Sequence, residues 1–213
     1  MDSFRQLEEK FARFPGIGPR QAKRFVYHLL NKSATSVKEF VQLIEEVKKA
    51  TRQCKSCQRY FLDQNQMNRS MCGICSDVAR DKTLLMIVAR DTDFESIEKS
   101  GAYRGLYFIL GGTVPILDKE PGKRIRLETL MKHIYDLPML GEIILSLNTT
   151  PDGEHTATIV RNALERIITD KMSSKVPTEG QIKISVLGRG LSTGTELEYI
   201  DSETIKNALS NRR

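Results

Sequence analysis

Four cysteines in two close pairs constrain this 213-residue chain more than any other feature. Cys54 and Cys57 form one C-x2-C pair, Cys72 and Cys75 form a second, and 14 residues separate the pairs. Two thiolate pairs at that spacing each make a knuckle. Together they close a tetrahedral Zn2+ site of the structural type, with no coordination position left for a substrate. Two disulfides and an iron–sulfur cluster are the competing chemistries for four thiols. Disulfides belong to oxidising compartments, and the opening MDSFRQLEEK carries mixed charge in place of the basic and apolar regions of a secretory signal, so a cytoplasmic location is expected. A cluster uses four cysteines, usually at other spacings. The segment around them, from Thr51 to about Lys82, is poor in apolar periodicity. It reads as a small module with little core of its own, folded by its metal to the extent of about 10 kcal/mol or more.

Before the cysteines the apolar residues repeat at helical spacing. Phe4, Leu7, Phe11 and Phe14 mark a first amphipathic helix with Ser3 as its expected cap. Pro15-Gly16-Ile17-Gly18 stops it. Pro19 then fits a first helical turn, and Ala22, Phe25, Val26 and Leu29 line a second helix whose other side carries Arg20, Lys23 and Arg24. Ser36 with Glu39 forms a capping box for a third helix, striped by Val37, Phe40, Val41, Ile44 and Val47 as far as Ala50. The turn between the first two helices matches the helix-hairpin-helix pattern of proteins that bind the DNA backbone. Gly16 and Gly18 allow a tight turn and leave bare N–H groups for a phosphate beside the positive end of the next helix, while Arg20, Lys23 and Arg24 supply cations. Such contacts read no base. Gly-Pro dipeptides also punctuate ordinary helix turns, and charge separates the two readings. Residues 1–60 hold 13 Lys and Arg against 6 Asp and Glu, a net of +7, whereas the remainder holds 20 against 21, a net of −1. The hairpin lies in the basic part of the chain, where a polyanion site is expected.

After Thr83 the pattern changes. Short apolar strands at Leu84–Ala89, Tyr107–Leu110, Ile143–Leu147 and Gln181–Leu187 alternate with helical stretches near Phe94–Lys99, Ile125–Tyr135 and Glu154–Met172. Strands apolar on both sides, separated by helices, imply a parallel sheet covered on both faces, so the fold class is α/β and multidomain. Gly188–Tyr199 is irregular, and a short helix capped by Asp201 or Ser202 follows. The longest apolar run, Leu84–Ala89, has six residues, far short of the about 20 needed to span a membrane. Asp91 and Asp93 follow the first strand of the sheet, and Asn148, Asp152 and Glu154 follow a later one. The carboxyl ends of parallel strands are where such folds bind ligands, so these acids are candidates for a weak Mg2+ site or a partner contact. Asp93 is equally suited to capping a helix.

Taken together, these motifs resemble the RecR family of recombination mediators. The resemblance rests on FPGIGPRQAKRFVYHLL, on the CKSC and CGIC pairs with SDVARD just after, on ESIEKSGAYRGLYFILGG, on NTTPDGEHTAT, and on RGLSTGTELEYIDSETIKNAL, which span residues 11–209. It implies a helix-hairpin-helix DNA-binding domain at 1–52, a four-cysteine zinc finger at 53–82, a Toprim-like domain at 83–188 and a C-terminal assembly segment at 189–213. It also implies dimers or ring-like tetramers that bind single- and double-stranded DNA. These act with RecO, and in some organisms RecF, to load RecA on single-stranded DNA, without catalysis of their own. The rival enzyme reading is a metal-dependent Toprim nuclease or primase. Toprim enzymes use a Glu after the first strand as general acid/base and a D-x-D pair after a later one for metal. Ala89 occupies the first of these places, and Asn148-Thr149-Thr150 the second. Two departures from the family stand out. Ala89, Arg90 and Asp91 lie where RecR-like chains carry two glutamates and a proline, in a loop tied to RecO contact, and the gap between the cysteine pairs is longer than the family's.

The remaining features read as structural. His28 and His133 fall among apolar residues of helices, and four cysteines already complete a metal site; His155 is open to either reading. Gly188-Arg189-Gly190 and Gly194 lack the Lys-Ser/Thr ending of a Walker A loop, so no ATPase is expected. Glu196-Leu197-Glu198-Tyr199 resembles the family's C-terminal signature at a subunit interface, against the plainer reading of an edge strand with outward charges. A zinc-ribbon protein for structured RNA is a further rival. With 7% aromatic residues and no tryptophan, the chain shows no stacking platform for RNA bases.

Overall fold

The computed structural model describes residues 2–63, 68–118, 120–173, 182–188, 190–191 and 194–210, with side chains throughout except at 121 and 169–173. The described chain divides into two compact units, one of residues 2–52 with 62–63, the other of 53–61 and the described residues from 68 onward.

The first unit is helical. It contains α1 (Ser3–Ala12), α2 (Pro19–Leu30) and α3 (Ala34–Ala50). Asp2, not Ser3, caps α1, its carboxylate accepting the Phe4 N–H at 3.2 Å. Ser33 caps α3 through the Ser36 N–H, also at 3.2 Å, so the helix starts before the expected Ser36–Glu39 box. In the run Ser33-Ala34-Thr35-Ser36 several residues can cap, and the earliest adds most of a further helical turn. The aromatic stripes on α1 and α2 meet edge to face: Phe11 lies 5.6 Å from Phe25, and Phe4 lies 5.4 Å from Tyr27, with Ala22 and Val26 buried beneath.

From the pair β1 (Thr51–Gln53) and β2 (Tyr60–Leu62) the chain makes the short turn α4 (Gly73–Ser76) and enters the four-stranded sheet of the second unit. Its strands are β3 (Asp81–Val88), β4 (Gly105–Ile109), β5 (Glu142–Ser146) and β6 (Lys183–Val186), all parallel in the order β4-β3-β5-β6. The connections carry α5 (Asp91–Ser100), then α6 (Pro121–Arg124) with α7 (Leu127–Tyr135), then α8 (Pro151–Ser173). A 3-10 turn at Leu197–Tyr199 and the helix α9 (Ser202–Ser210), capped by Asp201, complete the described chain.

Alternate residues of the strands point to opposite faces, and each face has its own core. Leu85, Ile87, Phe108, Ile143 and Leu145 pack with Leu130 and Ile134 of α7 and Val160, Leu164 and Ile168 of α8. Met86, Val88, Tyr107 and Ile109 pack on the other side with Phe94 of α5, and Ile74 of α4 joins them. Each fully buried Leu or Ile in these layers contributes about 1.5–3 kcal/mol. The expected strands are all present, displaced by up to three residues at their ends. β3 begins at Asp81, ahead of Leu84, because its exposed start still pairs with Gly105 beside a register irregularity, and an apolar pattern marks only buried positions. Likewise α5 begins at Asp91 because its first turn, Asp91-Thr92-Asp93, is polar. The helix expected from Ile125 instead starts at Leu127, since Ile125 itself is extended. Gln181, expected to open the last strand, and Arg189 lie outside the described residues. Of Glu196-Leu197-Glu198-Tyr199, Leu197–Tyr199 form a 3-10 turn with exposed Leu197 and Tyr199 rather than an edge strand, and Glu196 is its N-cap.

Candidate metal centre and nucleic-acid interface

Cys54, Cys57, Cys72 and Cys75 come together, with all four sulfur atoms within 4.8 Å of one another. Cys57 Sγ lies 3.7 Å from Cys72 Sγ, and none of the four is in a disulfide. Cys54, Cys57 and Cys72 are buried, Cys75 partly so. The backbone shapes the site. Gln58 N–H donates to the Cys54 carbonyl at 3.0 Å, which closes the first knuckle, and Gln58 takes a positive φ of 64° to do so. Cys72 N–H points at Cys54 Sγ at 3.3 Å, and Lys55 N–H reaches the Ser70 carbonyl at 2.8 Å, joining the second pair to the first. Hydrogen bonds from Cys57, Cys72 and Cys75 push the Cys54 thiol down toward the thiolate, and Cys57 is pushed up as the donor to Cys54. Four converging sulfurs fit a metal ion with four thiolate ligands and leave it no open position. Among the described residues this is the one group of three or more Cys, His, Asp or Glu side chains arranged to hold a metal.

The module is bonded to the carboxyl end of the sheet. Cys57 carbonyl accepts the Ile109 N–H at 2.9 Å, and Arg126 donates to the carbonyls of Ile109 at 3.0 Å and Gln58 at 3.4 Å. Arg59 lies over the Phe94 ring, 4.4 Å from its centroid, and Tyr60 N–H donates to Asp91 Oδ1 at 2.9 Å. Arg80, just past the cysteines, pairs with Glu98 of α5, which also accepts the Tyr107 hydroxyl at 2.9 Å. These links were not legible in the sequence, because each joins positions far apart in the chain.

Asp91 and Asp93 sit in the first turn of α5, and Glu154 is exposed in the first turn of α8. Asp93 is the third residue of its helix, and its carboxylate accepts the Arg90 N–H at 2.9 Å. Asp91 and Asp93 thus each bond a backbone amide. Ala89 is fully buried at the end of β3, and Asn148-Thr149-Thr150 follow β5. The strand order reverses between β3 and β5, which is where such sheets place a ligand site, and the acids of Toprim catalysis are missing from both loops. His133 stacks on Phe108 with ring centroids 5.7 Å apart, and burial pushes its pKa down.

In the helical unit, Gly16 has a φ of +74°, a conformation that side chains with a Cβ adopt at a cost. Gly18 is the N-cap residue of α2 and has no side chain to bond the first-turn amides. Space around both glycines is open. Arg20, Lys23 and Arg24 are exposed on α2, away from buried Ala22 and Val26, and Arg24 also bonds Gln21 at 3.4 Å. His28 is exposed near the end of the same helix.

The two units define a class: a helix-hairpin-helix unit combined with a four-cysteine module built onto a Toprim-type sheet. Comparison with known families agrees. Residues 4–48 match the RecR helix-hairpin-helix family, 83–171 the Toprim domain, and 190–213 the RecR C-terminal family. Curated relatives named Recombination protein RecR are similar along almost the whole chain. That of Lactobacillus helveticus is 31% identical over 97% of this chain and 94% of its own, and that of Chloroflexus aggregans 32% over 98% and 92%. The Cereibacter sphaeroides protein is 33% identical over 98% and 94%. The chain belongs to the RecR family of recombination proteins.

Proposed function

We propose that the protein is a non-catalytic DNA-binding mediator of recombinational repair, which works with RecO, and in some organisms RecF, to load RecA on single-stranded DNA in the cytoplasm. The observation that carries this reading is the α1–α2 turn. Its uncapped helix start, open glycines and exposed Arg20, Lys23 and Arg24 together suit a DNA phosphate. Binding through the phosphate backbone is indifferent to base sequence, which suits a loading factor. Among the described residues no helix is long and apolar enough to cross a membrane.

One structural Zn2+ is the proposed cofactor. Tetrahedral Zn–S bonds of about 2.3 Å put sulfurs about 3.8 Å apart, against the 3.7 Å between Cys57 and Cys72. The ion would supply folding energy and no reaction step. Asp91, Asp93 and Glu154 are proposed as a partner-facing acidic surface in preference to a Mg2+ site, since Asp91 and Asp93 already bond backbone amides. A homodimer or tetrameric ring is supported by α3, which buries none of its residues and leaves Phe40, Val41, Leu43, Ile44 and Val47 about half exposed. The division into 1–52, 53–82, 83–188 and 189–213 is carried forward as the functional one.

Arg20→Ala combined with Arg24→Ala tests the reading. Each duplex phosphate contact contributes about 0.9 to the slope of log affinity against log salt, so the double variant should bind more weakly and lose up to about 1.8 of that slope. Its melting temperature should be unchanged. Unaltered affinity with unaltered slope would move the DNA site elsewhere.

A further inference from the structure

We propose that metal occupancy of the four-cysteine site sets the order of the acidic end of α5, residues 91–97, so that a distant-looking structural ion organises the surface around Asp91 and Asp93. The inference rests on the reading of the cysteines as a metal site and adds a role for that site.

Four consecutive residues of the first knuckle each make a link to the carboxyl end of the sheet. Cys57 binds Ile109 N–H through its carbonyl, Gln58 accepts Arg126, Arg59 covers Phe94, and Tyr60 N–H holds Asp91. Two of the four reach α5 directly. Ile74, between the second pair of cysteines, packs both against the sulfur cluster and against the core layer that holds Phe94 and Ile97. Among the described residues the knuckle's core is the sulfurs, Phe61 and Ile74, and its turn depends on Gln58 at a positive φ that a residue with a side chain leaves readily. Without a metal, only a few backbone bonds such as Lys55 N–H to the Ser70 carbonyl hold the four converging sulfurs in that arrangement. The knuckle then relaxes, Asp91 loses the amide of Tyr60, and Phe94 loses its cover. The Asp93 bond to Arg90 is local and persists. On the opposite face, the described residues of the layer around Val160, Leu164 and Ile168 of α8 include none from the module, so that layer keeps its order.

The test uses the full chain, loaded with Zn2+ or stripped by a chelator, with metal content measured by mass spectrometry and amide exchange read by peptide. Stripping should speed exchange in residues 91–97 at least about tenfold, the loss of one charge-assisted hydrogen bond with its packing. Peptides over 160–168 should change by less than about twofold. Asp91→Ala removes one link in advance, so the effect of stripping on 91–97 should shrink in that variant. Failure to bind Zn2+ near one per chain would refute the metal reading itself. Stoichiometric Zn2+ with identical exchange at 91–97, or with a rise spread evenly over the whole sheet, would overturn the coupling while leaving the metal reading intact.

Discussion

Thr156 lies fully buried in α8 and holds the loop that follows β4 through one hydroxyl. Its Oγ1 accepts the Val114 N–H at 2.8 Å and donates to the Asp152 carbonyl at 2.6 Å, and Val114 is itself fully buried. Thr156→Val keeps the shape of the side chain and removes both bonds. The Asp152 carbonyl is a helix acceptor that can still take the amide four residues on, so the principal loss is a single buried amide without a partner. That costs about 1–3 kcal/mol. A chain of this size shifts its melting midpoint by roughly 2–4 °C for each kcal/mol, which gives a fall of roughly 2–12 °C. Scanning calorimetry reads the transition, and amide exchange at Val114 should accelerate with it. Thr156→Ser retains the hydroxyl and should keep Val114 protected. A Val variant melting within about 1 °C of the parent would refute the assignment of this bond as the loop's anchor. So would a Ser variant that exposes Val114 as fully as Val does.

Gly153→Ala should be nearly as damaging, because a Cβ there would lie 2.0 Å from the Asn148 carbonyl oxygen, a backbone atom. Moving the loop aside costs about 1–3 kcal/mol, so calorimetry should show a clear drop, and unchanged melting would contradict the close approach of α8 to the end of β5. The Arg80 guanidinium beside Glu98 holds that carboxyl below its ordinary range. A carboxyl lowered on folding stabilises the protein above its unfolded pKa of about 4.3, and that stability is lost as pH falls through the lower folded value. Glu98→Gln should therefore lower the melting temperature at neutral pH and flatten its decline below about pH 4.3. Parallel melting curves for parent and variant across that window would show the pair to be inert.

How far the sequence could be read depended on whether a contact leaves a local trace. The cysteine pairs do, because each knuckle needs its two thiols three residues apart, and the structure brings all four together. The α1–α2 turn does too: two glycines between two apolar stripes signal a tight turn, and Gly16 makes it with a positive φ. Strand interiors such as Leu85–Val88 were legible from continuous apolar character, while strand and helix starts such as Asp81 and Asp91 were not, since exposed residues carry no periodicity. Arg126 gave no sign of its role. Its partners Gln58 and Ile109 lie 68 and 17 residues away, and both offer carbonyl groups that every residue possesses. The Tyr60 to Asp91 bond, across 31 residues, leaves no local trace for the same reason, although Asp91 itself departs from the family pattern.

One gel experiment with the purified protein in Mg2+ decides whether it is a DNA-binding mediator without catalysis. Labelled single-stranded, duplex and junction DNA are run native to detect binding and denaturing to detect cleavage. A non-catalytic mediator gives shifts on each DNA that weaken steeply with salt, with every strand recovered at full length. Shortened products that vanish in Asp93→Ala would mean that the sheet carries an active metal-dependent site, and would contradict that reading.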